Sequence, residues 1–135
     1  MLGAMASRRD RHQAHLAAVA ALGKTLARRA KSCCELCEAS GRLSVTEVPG
    51  GPEDPSEDWA LLVCERCASV ATGEVARLRL RDDERDTLRF LTNAMWSEVR
   101  PAQIAAVRAL RGLDVPWATE ALEGLWLDEA VEALI

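Results

Sequence analysis

The sequence predicts an α+β protein, mainly α, in which a small cysteine-bearing β-hairpin module packs with a helical bundle. Three observations predict it. All five cysteines fall into two short clusters, KSCCELCEASG and LLVCERCASV. Between them, RLSVTEV and WALLV flank a loop of Pro, Gly and acids, PGGPEDPSED. On both sides of this stretch, apolar residues recur at three- and four-residue steps, the period of a helix with one buried face.

Composition sets the frame. A chain of 135 residues, 49% hydrophobic and 28% charged, is one domain's worth and can bury a core without disulfides. No apolar run approaches the roughly 18 residues that span a bilayer, so no membrane association is expected. An odd number of cysteines, clustered rather than scattered, argues against a secreted disulfide framework and for a reducing cytoplasm. The net charge of −4 is unevenly spread. Residues 1–32 carry seven Lys/Arg and one Asp, whereas the rest carries ten Arg and twenty acids. An acidic body repels phosphates, so nucleic acid could be met only through the basic N-terminal arm. A solvated helix face is the simpler account of that arm. Its Arg-rich, acid-poor character also imitates a transit peptide, but an Ala/Arg-rich helix fits better, and no clear cleavage site marks a secretory leader.

The elements follow in order. Residues 1–32 form a basic N-terminal unit, with one helix expected over 10–31. Leu16, Val19, Leu22 and Leu26 form its apolar face, and the basic end RRAK suits the negative pole of its dipole. The cysteine module spans 33–73. In it, RLSVTEV alternates as a first strand, PGGPEDPSED is a solvent loop, and WALLV is a second strand running into Cys64. ASVATG then makes a short helix stopped at Gly73. The helical region spans 74–135, and VARLRLR at its start fits either a strand or a helix. DDERDTLRFLTNAMWSEV predicts a helix with Leu88, Leu91, Met95 and Val99 on one face and acids in its first turn. Pro101 opens a further helix carrying Ile104, Val107 and Leu110 and ending near Gly112. Asp114 is expected to cap the next, with Pro116 in its first turn and Trp117, Leu122 and Leu125 on its apolar side. Asp128 caps a final short helix. Trp96, Trp117 and Trp126 are expected in the core, and Trp59 is expected to shield the cysteine module. All three units are expected to form one compact body.

The cysteines carry the chemistry. Cys34-Glu-Leu-Cys37 and Cys64-Glu-Arg-Cys67 are two CxxC turns separated by 26 residues, and a hairpin folds the intervening chain so that the pairs meet. Each turn presents two thiolates to one tetrahedral ion. Four soft ligands with no open position point to one structural Zn²⁺ held by Cys34, Cys37, Cys64 and Cys67. A four-cysteine iron–sulfur cluster is the serious alternative, and redox dithiols lack the βαβ setting that such pairs occupy. Cys33 would leave three residues before Cys37 where Cys34 leaves two, so Cys33 is read as a spare thiol. Ligands from a knuckle before the hairpin and from a helix start after it describe a treble clef, whereas two knuckles would make a zinc ribbon. The treble clef is preferred.

A closed four-cysteine site has no position for water and supports structure rather than hydrolysis. His12 and His15 both lie ahead of the module. They could share a helix face and a second metal, but solvated surface residues are the simpler account. In HNH endonucleases a treble clef with two CxxC units carries histidines on the hairpin strand. Thr46 and Glu47 occupy that place here, and no histidine follows the second CxxC, so no nuclease activity is expected.

KSCCELCEASGRLSVTEVP, LLVCERC and LTNAMWSEVRPAQIAAVRALRGL together resemble the PhnA-like proteins, named from an alkylphosphonate-utilisation operon and without an established activity of their own. The resemblance covers roughly residues 31–130. The MWSEV block at 95–99 and the end around Trp117, Leu122, Leu125 and Asp128 are its most specific features besides the cysteines. It implies a zinc-binding N-terminal module in a small bacterial protein. The chain lacks the separate β-rich C-terminal PhnA domain of many members, adds the basic helix at the front, and has TLRFL where a His- and Trp-rich segment is usual. A non-enzymatic binding or adaptor protein, with a protein partner, is the expected function. The alternatives are a degenerate HNH-like nucleic-acid-binding protein and a phosphonate-related enzyme.

Overall fold

A computed structural model describes residues 7–135. Residues 1–6, the beginning of the expected basic unit, lie outside the described residues. The described chain is mainly helical with one two-stranded antiparallel sheet, as the expected fold class requires.

The N-terminal unit comprises two helices rather than one. Helix α1 (Arg8–Ala21) starts at a capping box: Ser7 Oγ accepts the Asp10 N–H, and the Asp10 carboxylate accepts the Ser7 N–H. Helix α2 (Gly23–Ala30) follows directly, with Leu22 as the joint, and ends at Lys31 in a left-handed conformation. Helix α1 buries none of its residues, and Leu16 stays 48% exposed, against the expected apolar face. The reason is reach. The hairpin beneath is four residues long, about 14 Å, whereas the 22 residues of the two helices extend about 33 Å. Helix α2 packs on it through Leu26, whereas α1 reaches β1 through His15, which pairs with Glu47.

Strands β1 (Ser44–Glu47) and β2 (Ala60–Val63) pair with Val45 opposite Leu62 and Thr46 opposite Leu61. Strand β2 is buried throughout, and its alternation serves two separate cores. Ala60 and Leu62 join Leu26 in a small cluster under α2. Leu61 and Val63 join the main core. The loop between the strands closes with Trp59 packed so tightly on Gly51 that a Cβ there would stand 2.5 Å from the indole. Trp59 thus fills the underside of the loop.

Helix α3 (Glu65–Ala71) stops at Thr72 and at Gly73, whose φ of 82° is left-handed. The ambiguous VARLRLR is neither helix nor paired strand. A 3₁₀ turn, Glu74–Arg77, passes into extended chain with Leu78 exposed. The helix expected from residue 82 breaks into α4 (Asp82–Asp86) and α5 (Leu91–Ala94), joined by tighter turns such as Leu88 N–H to Arg85 C=O. The predicted face survives the break: Leu88, Leu91 and Met95 are buried.

Helix α6 (Arg100–Leu113) is the centre of the main core, with Pro101 in its first turn as predicted. Its Ala-rich buried face lets α3, α5 and α7 (Pro116–Glu123) approach it closely. The helix ends at Leu113, as expected beside Gly112. Gly112 admits the turn at Ala76, whose Cβ would stand 2.6 Å from a Cβ at residue 112. Asp114 follows, left-handed at φ 50°, so Asp114 closes α6 and does not cap α7, whose N-cap is Val115. Asp128 caps α8 (Glu129–Glu132) through the Val131 N–H, as predicted.

Two of the three tryptophans expected in the core are outside it. Trp96 is 55% exposed and Trp126 83% exposed. Trp96 follows the last turn of α5, where Met95 already takes the inward position. Trp126 lies beyond α7 in non-helical chain, where the helical period no longer applies. Trp117 is half-buried with the Arg89 guanidinium over its ring. No described helix is long and apolar enough to cross a membrane.

Candidate metal centre

The first CxxC is a turn closed by its own backbone. Cys34 N–H donates to Ala39 C=O, Glu38 N–H donates to Cys34 C=O, and Glu38 is left-handed at φ 66°. The Cys37 N–H points at Cys34 Sγ, 3.5 Å away. Glu35 N–H donates to Leu62 C=O, which attaches the turn to β2. The second CxxC lies where β2 becomes α3: Cys64 is the residue before the helix and Cys67 is in its first turn.

The hairpin brings the two turns together. The sulfurs of Cys34, Cys37, Cys64 and Cys67 all lie within 4.8 Å of one another, and Cys37 and Cys64 are 3.7 Å apart. This cluster could hold a metal ion. Cys34 and Cys67 are buried, Cys37 and Cys64 half-buried. Cys33 stands outside the cluster, half-buried beside Arg29, Lys31 and Val99. Among the described residues no other group of three or more His, Cys, Asp or Glu side chains is close enough to hold an ion. His12 and His15 therefore do not build a second site of that kind.

Sulfur atoms this close cannot all ionise without a cation. A hydrogen bond from Cys67 pulls the Cys34 thiol down to about 4, against burial, with further help from the backbone of Cys37, Cys64 and Leu36. Cys67 is correspondingly pushed up, by that same bond to Cys34 and by burial. Burial also raises Cys37, partly offset by a backbone hydrogen bond from Ala39 and reinforced by Cys34 and Cys64. The cage thus favours charge on Cys34 and disfavours it on Cys37 and Cys67 until a cation arrives.

Two supporting contacts are not written in the cysteine spacing. Glu35, its side chain 2% exposed, accepts two hydrogen bonds from Arg29, at 2.7 and 2.8 Å, and one from the Leu62 N–H. Arg29 also donates to the carbonyls of Glu57 and Ala60. One guanidinium therefore ties α2, the first CxxC turn and the start of β2 into a unit. Arg66, in the second turn, lies over the Phe90 ring with its carbon 4.7 Å from the centroid. Nothing in the local spacing signals either contact, since both partners come from other elements. Thr46 and Glu47 lie on β1 as predicted, and Glu47 meets His15, whose Nε2 is 2.8 Å from Oε2. This pair fastens α1 to the hairpin.

No protein-family model, curated protein or solved structure matches this chain.

Proposed function

We propose that this chain is a small zinc-binding protein of the PhnA-like type, with one structural Zn²⁺ held by Cys34, Cys37, Cys64 and Cys67. The observation that carries the reading is the clustering of the four sulfurs, with one pair at 3.7 Å. Zn–S bonds of about 2.3 Å in a tetrahedron give a sulfur–sulfur edge of about 3.8 Å. An iron–sulfur cluster distributes its cysteines over several irons, so the tight grouping favours a single ion. Four protein sulfurs leave no position for water, and the ion then acts on the fold. The order of knuckle, hairpin and helix supports the treble-clef form of the module.

The function that fits such a site is binding rather than chemistry at the metal: a non-enzymatic, cytoplasmic adaptor. Its helical half offers Trp96, Trp126 and Leu78, all exposed, to a protein partner. A second reading, nucleic-acid contact through the N-terminal helix, is favoured by one observation. Helix α1 buries nothing, and its Arg8 and Arg9 face solvent. Such binding would fall steeply with added salt and vanish on deletion of residues 1–21. Metal analysis of the purified chain tests the main reading. One zinc per chain, with loss of helical signal on chelation, is expected. A chain without zinc, or one with the visible absorption of an iron–sulfur cluster, would overturn it, and a second exchangeable metal would reopen a phosphonate-related enzyme.

A further inference from the structure

A cleft of about 700 Å³ opens beside α2, away from the sulfurs, with room for one or two large side chains. Arg29 of α2 forms one wall. Glu57 and Asp58, in a 3₁₀ turn before β2, form another, and Glu98 and Arg100, at the start of α6, form the third. The charge of Arg29 is already met by Glu35. Among the described residues no ion pair engages Glu57, Asp58 or Glu98. Three carboxylates therefore face Arg100 as the one unmatched cation.

The opposite imbalance sits at the start of α1. Arg8 and Arg9 occupy its first turn and are exposed. The N-terminus of a helix is its positive pole, so two cations there weaken the helix that carries them. The acid beside them, Asp10, is engaged in the capping box. Helix α1 buries none of its residues and leaves Leu16 exposed, so nothing within the chain repays this local cost. No residue of α1 lines the cleft of its own chain.

We propose that the cleft receives the first turn of α1 from a second copy of this chain, with Arg8 and Arg9 set against Glu57, Asp58 and Glu98. About a two-fold axis each copy supplies one arm and one cleft, so the two identical contacts close on themselves and stop at a dimer. Arginine suits the task because its planar fork meets carboxylates through paired hydrogen bonds and keeps its charge at every working pH. The walls of the cleft are largely exposed, so each ion pair contributes little alone and the assembly depends on salt. A chain of net charge −4 repels a phosphate backbone but offers its own arginines a matching surface, which favours a second copy over nucleic acid. The inference does not depend on which metal the cysteines hold.

Sedimentation of the full chain tests it, in about 0.01 M and about 1 M salt, where the screening length falls from about 30 Å to about 3 Å. Twice the chain mass is expected at low salt and the single mass at high salt. A single mass at low salt overturns the inference, and does so equally if that chain is retained on duplex DNA. Two charge-reversed variants sharpen the test, one with Arg8→Glu and Arg9→Glu, the other with Glu57→Lys and Glu98→Lys. Each alone should sediment as a single chain with the parental circular dichroism. Mixed in equal amounts at low salt they should regain the doubled mass, because both contacts of the mixed pair again join opposite charges. A variant that dimerises alone, or a mixture that stays single, overturns the inference. Should either variant not fold, Arg8→Lys with Arg9→Lys keeps the charge and supplies amines that a carbodiimide joins to facing carboxylates. Peptide mapping is then expected to find residue 8 or 9 linked to residue 57, 58 or 98 of the other copy, and a cross-linked dimer without such links overturns it.

Discussion

The two CxxC turns share a spacing, with glutamate following the first cysteine in each, yet they are built in opposite ways. In Cys34-Glu-Leu-Cys37 the intervening residues face inward. Leu36 is buried in the main core, and the Glu35 carboxylate is buried against Arg29 and the Leu62 N–H. In Cys64-Glu-Arg-Cys67 they face outward, Glu65 to solvent and Arg66 over Phe90. A CxxC spacing fixes where two sulfurs go and leaves open what the residues between them do. The first turn is anchored by its own contents. The second is anchored by the strand and helix that carry it.

This contrast can be broken at several points. The largest effect is expected from Cys67→Ser, which removes a buried cysteine of the cluster. Zinc should fall below one equivalent in metal analysis, and the helical circular dichroism should melt without its cooperative transition. Next comes Glu35→Ala in the inward turn. It strips three hydrogen bonds and leaves Arg29 without its acid, and denaturant unfolding of the metal-loaded chain should show a loss of about 3 kcal/mol. Acid should weaken metal binding through both turns. Cys37 and Cys67 are pushed above the ordinary thiol value and are protonated at neutral pH, so each must give up a proton to bind. Competition titrations should therefore show affinity rising with pH, by up to about tenfold per unit for each proton released. The smallest effect belongs to the outward turn. Glu65→Gln should change stability by no more than about 0.5 kcal/mol by the same denaturant measurement. A large loss there, or a negligible one for Glu35→Ala, would erase the distinction.

What the sequence made legible follows the range of the forces concerned. The clustering of the four cysteines, the hairpin and the loop between its strands were readable, because CxxC turns, period-two alternation and Pro/Gly punctuation are local. The helical face of Leu88, Leu91 and Met95 was readable as a face, although the helix carrying it is interrupted. Trp96 and Trp126 were misplaced because a helical period was extended beyond the helices that generate it. Leu16 was misplaced because the length of a helix was legible while the length of the surface beneath it was not. Asp114 looked like a cap for the helix after it and instead closes the helix before it, since a short polar residue suits either end. The Arg29–Glu35 pair and the Arg66–Phe90 contact depend on how separate elements meet, which no window of sequence contains.

Strand β2 has no free face, since Leu61 and Val63 belong to one apolar cluster while Ala60 and Leu62 belong to the other. Four consecutive residues are thus common property of the two clusters, and neither can mature while the strand is adrift. Unfolding should accordingly proceed as a single event that dissolves both clusters together, with amide protons on either side of the strand exchanging at matched rates.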